Sequence, residues 1–137
     1  MELLLDLKRD LGVSYLYITH DLSVARYVCD RIAVMYRGKI VEVGESEELL
    51  QSPLHPYTRA LIASVPVPDP TYRRPDPKLK RATSTDGAED HCRFLARCPI
   101  ASSRCADEPH PALATNSTTG HLVSCYEAER AAAVLST

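Results

Sequence analysis

The spacing of apolar residues over the first third of the chain changes from helical to strand-like and back. Leu3, Leu4, Leu7 and Leu11 recur at three- and four-residue intervals, which places them on one helical face. Gly12 follows directly, and glycine is typical of the residue after a helix. The pattern therefore predicts an amphipathic helix that ends at Gly12.

A short β-rich run over residues 14–19 then predicts a buried strand, which ends at His20. Asp21 is suited to cap a following helix whose apolar stripe begins with Leu22 and Ala25. The order helix, strand, helix is typical of an α/β unit. Open α/β sheets bind ligands beyond the carboxyl ends of their strands, so His20 is a candidate contact for a phosphate or a substrate.

The next segment predicts a hairpin at the edge of the sheet. Residues 32–36 and 39–43 read as two strands, and Arg37-Gly38 reads as the tight turn between them. Gly44 is expected to end the second strand.

Two short helices are predicted after the hairpin. Glu45, Glu47 and Glu48 place negative charge in a first helical turn, where it is favourable. Pro56 suits the first position of the second helix, and Tyr57 is expected to pack inward.

Five of the ten prolines lie between Pro66 and Pro77, which predicts a stiff, extended linker. The segment after it is rich in charged and hydroxyl residues and shows no periodicity. The predicted organisation comprises an α/β portion, a helix, a linker and a cysteine-containing tail, over residues 1–51, 52–65, 66–91 and 92–137.

Composition narrows the class of protein. A formal charge of −2 and a pI near 6.2 differ from the strongly basic character of nucleic-acid-binding domains, so we expect no nucleic-acid partner. The apolar N-terminus is too short and too acidic for a signal peptide, and no apolar run approaches the roughly 18 residues of a membrane span. These features predict a cytosolic protein, in which cysteines more often act as ligands or core residues than as disulfides.

Four cysteines fall in the last third of the chain. Cys92, Cys98, Cys105 and Cys125 are separated by five, six and nineteen residues. Four thiolates suit either a [4Fe–4S] cluster or a tetrahedral zinc ion, and sharing one centre would help to fold a segment poor in apolar residues. Vacant or disulfide-linked thiols are the third interpretation.

Three tail histidines are weaker candidates for metal ligands. His91, His110 and His121 are expected to be solvated loop residues. The close C-x₂₋₄-C pairs usual for zinc are absent, which counts mildly against zinc.

Three separated blocks resemble the C-terminal third of an ABC transporter ATPase domain. They are residues 17–22, 30–36 and 38–44. The segment at 52–58, with His55-Pro56-Tyr57, is similar to the motif that follows the ATPase domain in dipeptide and oligopeptide importers. The resemblance implies an α/β fold consisting of a partial P-loop NTPase sheet with an edge hairpin, followed by a loop-rich cysteine tail.

The resemblance implies that His20 is the switch-loop residue that contacts the γ-phosphate of ATP. The phosphate-binding G-x-x-x-x-G-K-[ST] loop, the LSGGQ-like run and the catalytic Asp-Glu pair are absent from this sequence. We therefore expect a fragment that uses ATP and Mg²⁺ only with its missing N-terminal half, and that is inactive and poorly stable alone.

The cysteine spacing, with Cys98-Pro99, also resembles the tail of peptide-importer ATPases, where an iron–sulfur cluster is implied for some members. The implied partners are a second ATPase subunit, membrane permease subunits and, indirectly, a peptide-binding protein. The implied location is cytoplasmic, at the inner face of the cell membrane. A competing interpretation is a non-catalytic, metal-binding interaction module.

Overall fold

The computed structural model describes residues 2–66, 69, 71, 79, 90–115 and 120–134. The described helices are α1 (Glu2–Leu11), α2 (Leu22–Val28), α3 (Ser46–Gln51), α4 (Pro56–Ala63), α5 (Arg104–Asp107) and α6 (Ala128–Val134), with a 3₁₀ turn at Leu95–Arg97. The described strands are β1 (Arg31–Tyr36), β2 (Lys39–Glu45), β3 (Ala114–Thr115) and β4 (Leu122–Val123).

The segment between α1 and α2 differs from its prediction. Gly12 ends α1 as expected, with a φ of 63° and its N–H donating to the carbonyl of Lys8 at 3.0 Å. Residues 13–19 then form no strand, and the side chains of Leu16 and Ile18 are 92% and 89% exposed. The predicted strand is wrong because no described strand pairs with the segment, and the described residues leave Leu16 and Ile18 almost fully exposed.

The hairpin is confirmed. β1 and β2 pair antiparallel, and Arg37 and Gly38 both adopt positive φ, 46° and 78°, as a two-residue hairpin turn of the I′ kind requires. Gly44 does not end the strand as predicted, since it pairs with Ile32 inside the ladder.

An irregularity in the hairpin decides which side chains of β2 are buried. The register shifts between Val34 and Met35 of β1, which lie opposite Glu42 and Ile40, so Val41 is an extra residue in β2 and the alternation of β2 is interrupted there. As a result, Val41 and Glu42 are both buried although they are neighbours in the chain.

The tail completes the same sheet. β4 pairs antiparallel with β2, placing Val123 opposite Glu42, and the Ser124 N–H donates to the carbonyl of Val41 at 2.8 Å. β3 pairs with β4, giving the strand order β1-β2-β4-β3. The described residues thus form an antiparallel sheet within a mixed α/β fold, and the parallel P-loop sheet stays a prediction.

The predicted domain boundaries also stay predictions. Most of the expected linker at 66–91 lies outside the described residues.

Three aromatic rings join the hairpin, α4 and the tail. The ring centroids of Tyr36 and Tyr57 are 4.6 Å apart, and Phe94 lies 5.2 Å from Tyr36 and 5.6 Å from Tyr57. Phe94 is 1% exposed, so the tail contributes one of the most buried side chains of the core. Within the part of the chain that is described, no helix has the length and apolar character needed to cross a bilayer.

We predict that Gly44→Ala destabilises the fold by about 1–3 kcal/mol, because a Cβ would lie 3.1 Å from Cδ2 of the buried His121 ring. Urea unfolding checks this value. In a His121→Ala background the same substitution should cost clearly less, as in a double-mutant cycle. Equal costs in the two backgrounds would show that the ring does not restrict this position.

Candidate functional site

Glu42 is the buried charge at the centre of the site. Its side chain has no exposed surface. Oε1 accepts hydrogen bonds from the Leu54 N–H at 2.7 Å and from Nε2–H of His121 at 2.8 Å, and Oε2 accepts the His55 N–H at 3.0 Å. A buried carboxylate is costly unless it is paired and hydrogen-bonded, so these donors allow it to be buried. The carboxylate ties together β2, the start of α4 and the tail.

His121 brings the tail to this carboxylate. The ring is 2% exposed, and its Nδ1 lies 3.6 Å from Oε1 of Glu48, so the imidazole sits between two carboxylates. The prediction of a solvated loop position for His121 is wrong. The local sequence offers one weak signal, Gly120 with a φ of 80°, which lets the chain turn into β4.

The other two tail histidines are half-buried and also make specific contacts. Nδ1 of His91 donates to the carbonyl of Glu108 at 2.8 Å, and Nε2 of His110 lies 3.0 Å from Oγ of Ser124. None of the three tail histidines lines the cysteine cavity described below, so the structure does not place them as substitute ligands there.

His55 caps α4. Its Nδ1 accepts the Tyr57 N–H at 3.0 Å, and Pro56 occupies the first helical position, as predicted. The ring is 1% exposed and lies 5.7 Å from the ring of Phe94. Burial, with a smaller effect from His110, lowers the pKa of His55 to about 3, so the imidazole is neutral.

The four tail cysteines and His55 line one small cavity of about 10 Å³. Cys98 and Cys105 are buried, and Cys92 and Cys125 are half-buried. Cys92 and Cys98 flank the 3₁₀ turn, Cys105 lies in α5 and Cys125 follows β4. His55 is the residue before α4. The fold thus brings together cysteines that are up to 33 positions apart, between 92 and 125.

Burial in the cavity keeps two of these thiols, Cys92 and Cys125, protonated. Burial raises the pKa of Cys92, and it raises that of Cys125 to about 12, with smaller contributions in the same direction from the neighbouring cysteines. Protonated thiols are poor nucleophiles and poor ligands until a metal displaces the proton. All five cysteines lie in the described part of the chain and no disulfide joins them, so the disulfide interpretation is not supported.

The structure does not present a metal site in the form expected. Across residues 2–66, 69, 71, 79, 90–115 and 120–134, no three His, Cys, Asp or Glu side chains are grouped so that they could hold a metal ion. Neither the zinc interpretation nor the [4Fe–4S] interpretation is supported by the described residues, and the separate metal-binding module has no support either.

His20 lies apart from the cysteines. It is an exposed residue at a bend before α2, where Asp21 accepts the Ser23 N–H at 2.8 Å and Thr19 Oγ1 accepts the Asp21 N–H at 2.9 Å. It borders an open depression of about 410 Å³ between the start of α2 and the end of α4. This depression shares no lining residue with the cysteine cavity.

Comparison with known proteins identifies the region that carries α4 and three of the cysteines. The family described as the C-terminal region of the oligopeptide/dipeptide transporter matches residues 41–105. The chain contains the C-terminal region of the oligopeptide/dipeptide transporter family. The matched span includes Glu42, His55 and Phe94, whereas His20, His121 and Cys125 lie outside it.

Relatives extend the similarity to nearly the whole chain. A probable peptide ABC transporter ATP-binding protein, y4tS, of Sinorhizobium fredii is 40% identical over 134 residues, 97% of this chain and 37% of that protein. The oligopeptide transport ATP-binding protein OppF of Salmonella typhimurium is 39% identical over 133 residues, 94% of this chain and 39% of that protein. AmiF of Streptococcus pneumoniae, an oligopeptide transport ATP-binding protein, is 55% identical over 74 residues, 54% of this chain and 24% of that protein. The chain thus spans less than two-fifths of the length of these relatives.

We predict that Glu42→Gln lowers the free energy of unfolding by about 3 kcal/mol, because an amide has one oxygen and cannot accept all three hydrogen bonds. Glu45→Gln on the same strand is the matched control. Glu45 is exposed and pairs with Arg31 at 3.6 Å, so its loss should cost less than about 0.5 kcal/mol. Similar losses for the two variants in urea unfolding would contradict the central role of Glu42.

Proposed function

We propose that this chain is the C-terminal part of the ATP-binding subunit of a peptide-import ABC transporter. In the complete subunit, hydrolysis of ATP with Mg²⁺ would drive uptake of dipeptides or oligopeptides. The similarity of nearly the whole chain to ATP-binding proteins named for peptide transport carries this proposal.

His20 is the proposed contact to the γ-phosphate. Its exposed imidazole stands at a polar corner that Thr19 and Asp21 fix through backbone hydrogen bonds. A donor held in this way meets the need of phosphoryl transfer for stabilisation of charge and for orientation of the attacking water.

The exposure of residues 13–19, just before His20, supports the proposal that an upstream portion of the subunit packs against this segment. Leu16 and Ile18 are almost fully exposed, and a β-rich segment that is not part of a described strand is a template for strand pairing. In the proposed subunit, the upstream portion of the ATPase sheet covers residues 13–19 and supplies the phosphate-binding loop.

The proposed partners follow from the same assignment. They are a second ATP-binding subunit, the membrane permease subunits and, through these, a peptide-binding protein. The subunit would lie on the cytoplasmic side, at the inner face of the cell membrane.

The four tail cysteines are the proposed ligands of a [4Fe–4S] cluster. In such a cluster each cysteine binds a different iron, so the sulfurs stand around a volume and do not converge on one point. The four thiols line one cavity, which would have to widen from about 10 Å³ to hold the cluster. The cluster would supply one-electron redox chemistry, while Cys92, Cys98, Cys105 and Cys125 hold it and cross-link the tail.

We predict that the chain acquires ATPase activity when mixed with the upstream portion of the Sinorhizobium relative, and that His20→Ala lowers the rate by about 100-fold. This is the size expected for loss of one donor to the transition state. Phosphate release measures the rate. Glu45→Gln, which changes an exposed side chain on the hairpin, is the control and should leave the rate unchanged.

Two results would contradict this assignment at different levels. An active mixture with the same rate for wild type and His20→Ala would remove the phosphate-contact role of His20. Failure of the two portions to associate in the presence of ATP would contradict the ATPase assignment itself.

A further inference from the structure

The end of α4 lies next to the His20 corner, residues 19–23, in which the chain turns into α2. His20 and Leu22 share one open depression of about 410 Å³ with Leu61 and Val65, which come from the end of α4 and the residues after it. α4 belongs to the region that matches the transporter family, whereas His20 lies outside the match. At this depression, the C-terminal region of the family therefore borders the proposed phosphate contact.

The hydrogen bonds of the His20 corner are local. Thr19 Oγ1 accepts the Asp21 N–H at 2.9 Å, and Asp21 Oδ1 accepts the Ser23 N–H at 2.8 Å. The Ala25 N–H donates to the carbonyl of Asp21 at 3.1 Å and closes the first turn of α2. These bonds fix the shape of the corner, but they do not attach it to α3 or α4. Its position in the molecule therefore depends on how the start of α2 packs.

The two ends of α2 are held in different ways. At the far end, the Ser46 hydroxyl, at the start of α3, donates to the carbonyl of Cys29. Nearer the start, Ala25 is buried in the hydrophobic core, and the half-buried Leu61 side chain packs against the same core cluster. Leu22 and Leu61 also line the same depression. The start of α2 thus depends on apolar packing in which α4 takes part.

α4 is itself fixed at both ends. Oε2 of Glu42 accepts the backbone N–H of His55, the residue before the helix, at 3.0 Å. At the other end, the Ser64 hydroxyl donates to the carbonyl of Leu61 at 2.6 Å. Leu61, Ser64 and Val65 lie three and four positions apart, so they share the face that borders the depression. This face of α4 therefore offers the start of α2 a fixed surface.

We propose that Leu61 is a positioning residue that holds the His20 corner in place for ATP hydrolysis. The inference rests on the proposed function. His20 must stay within hydrogen-bond distance of a phosphate oxygen, and a displacement of about 1 Å can lower a rate by about 100-fold. Leu61 does not touch the nucleotide and acts through α2 and His20. The C-terminal region of the family thereby sets the rate of hydrolysis at a site outside that region.

The first test is native-state hydrogen exchange in the full chain. Leu61→Ala removes apolar packing at the depression. Ile62→Ala is the matched control, because Ile62 is the next residue of α4, is also half-buried and is not among the described residues that line the depression. We expect the Ala25 amide, relative to the Ser124 amide, to exchange about tenfold faster in Leu61→Ala than in Ile62→Ala. A loss of global stability alone would speed both amides, so this ratio isolates the start of α2.

The second test measures phosphate release by the mixture with the upstream portion of the Sinorhizobium relative. Leu61→Ala should lower kcat by about tenfold and change KM for ATP by less than about twofold, because the phosphate-binding loop lies in the other portion. Ile62→Ala should leave both values unchanged. In a His20→Ala background, Leu61→Ala should lower the rate no further, because it acts through His20. Leu61→Met, which conserves volume, should retain the wild-type rate.

The outcomes separate this inference from the proposed function. An inactive wild-type mixture overturns the proposed function, and the role of Leu61 in hydrolysis falls with it. An active mixture in which Leu61→Ala and Ile62→Ala have the same kcat overturns the inference alone, as does a full further loss from Leu61→Ala in the His20→Ala background. If Leu61→Ala fails to fold, Leu61→Val replaces it, and an Ala25 amide that exchanges as in Ile62→Ala then overturns the inference.

Discussion

The structure depends on burying the Glu42 carboxylate without leaving its charge uncompensated. The carboxylate accepts hydrogen bonds from three donors. Two are backbone N–H groups before α4, and one is the ring of His121, which lies 79 positions further along the chain. The half-buried Arg59 side chain is near enough that the charge of Glu42 partly offsets the lowering of the Arg59 pKa by burial. Removing any one donor would leave a charged oxygen short of partners in a dry environment, so the hairpin, α4 and the tail are expected to form and unfold together.

The burial of Glu42 also links the His55 region to the cysteine-containing tail. The His55 N–H bound by Glu42 places the His55 ring in the cysteine cavity, and the His121 ring bound by Glu42 positions β4, which leads into Cys125. His20 is not part of this network and faces a separate, open depression. The proposed phosphate contact and the proposed cluster therefore belong to two separate depressions, and α4 contributes to the lining of both.

Local chemistry made much of the fold predictable. Arg37-Gly38 specifies a tight turn, Asp21 and Pro56 specify helix starts, and Gly12 specifies a helix end, because each acts through its own backbone or cap. The strand at residues 14–19 failed because a strand needs a partner, and the described residues supply none. The spacing of the cysteines predicted that they would meet, and they line one cavity, while the identity of any metal there stays a prediction.

The core of the site was not predictable, for two physical reasons. The irregularity at Val41 within β2 places Glu42 inside, although a charged residue in an edge hairpin is typically solvated. His121 is buried by its contact with Glu42, 79 positions away, and the residues next to His121 in the sequence do not indicate this partner. Buried polar pairs of this kind are set by tertiary packing and not by local propensity.

The most direct test of this account is native-state hydrogen exchange at two amides of the full chain. The His55 N–H is bonded to Glu42, and the Ser124 N–H is bonded to the carbonyl of Val41, so one reports the start of α4 and the other the tail. If Glu42 holds the segments in one cooperative unit, both amides should exchange with the same opening free energy, equal to that of global unfolding. A Ser124 amide that exchanges through a much smaller opening, while His55 stays protected, would show that the tail is only loosely attached and would contradict the account.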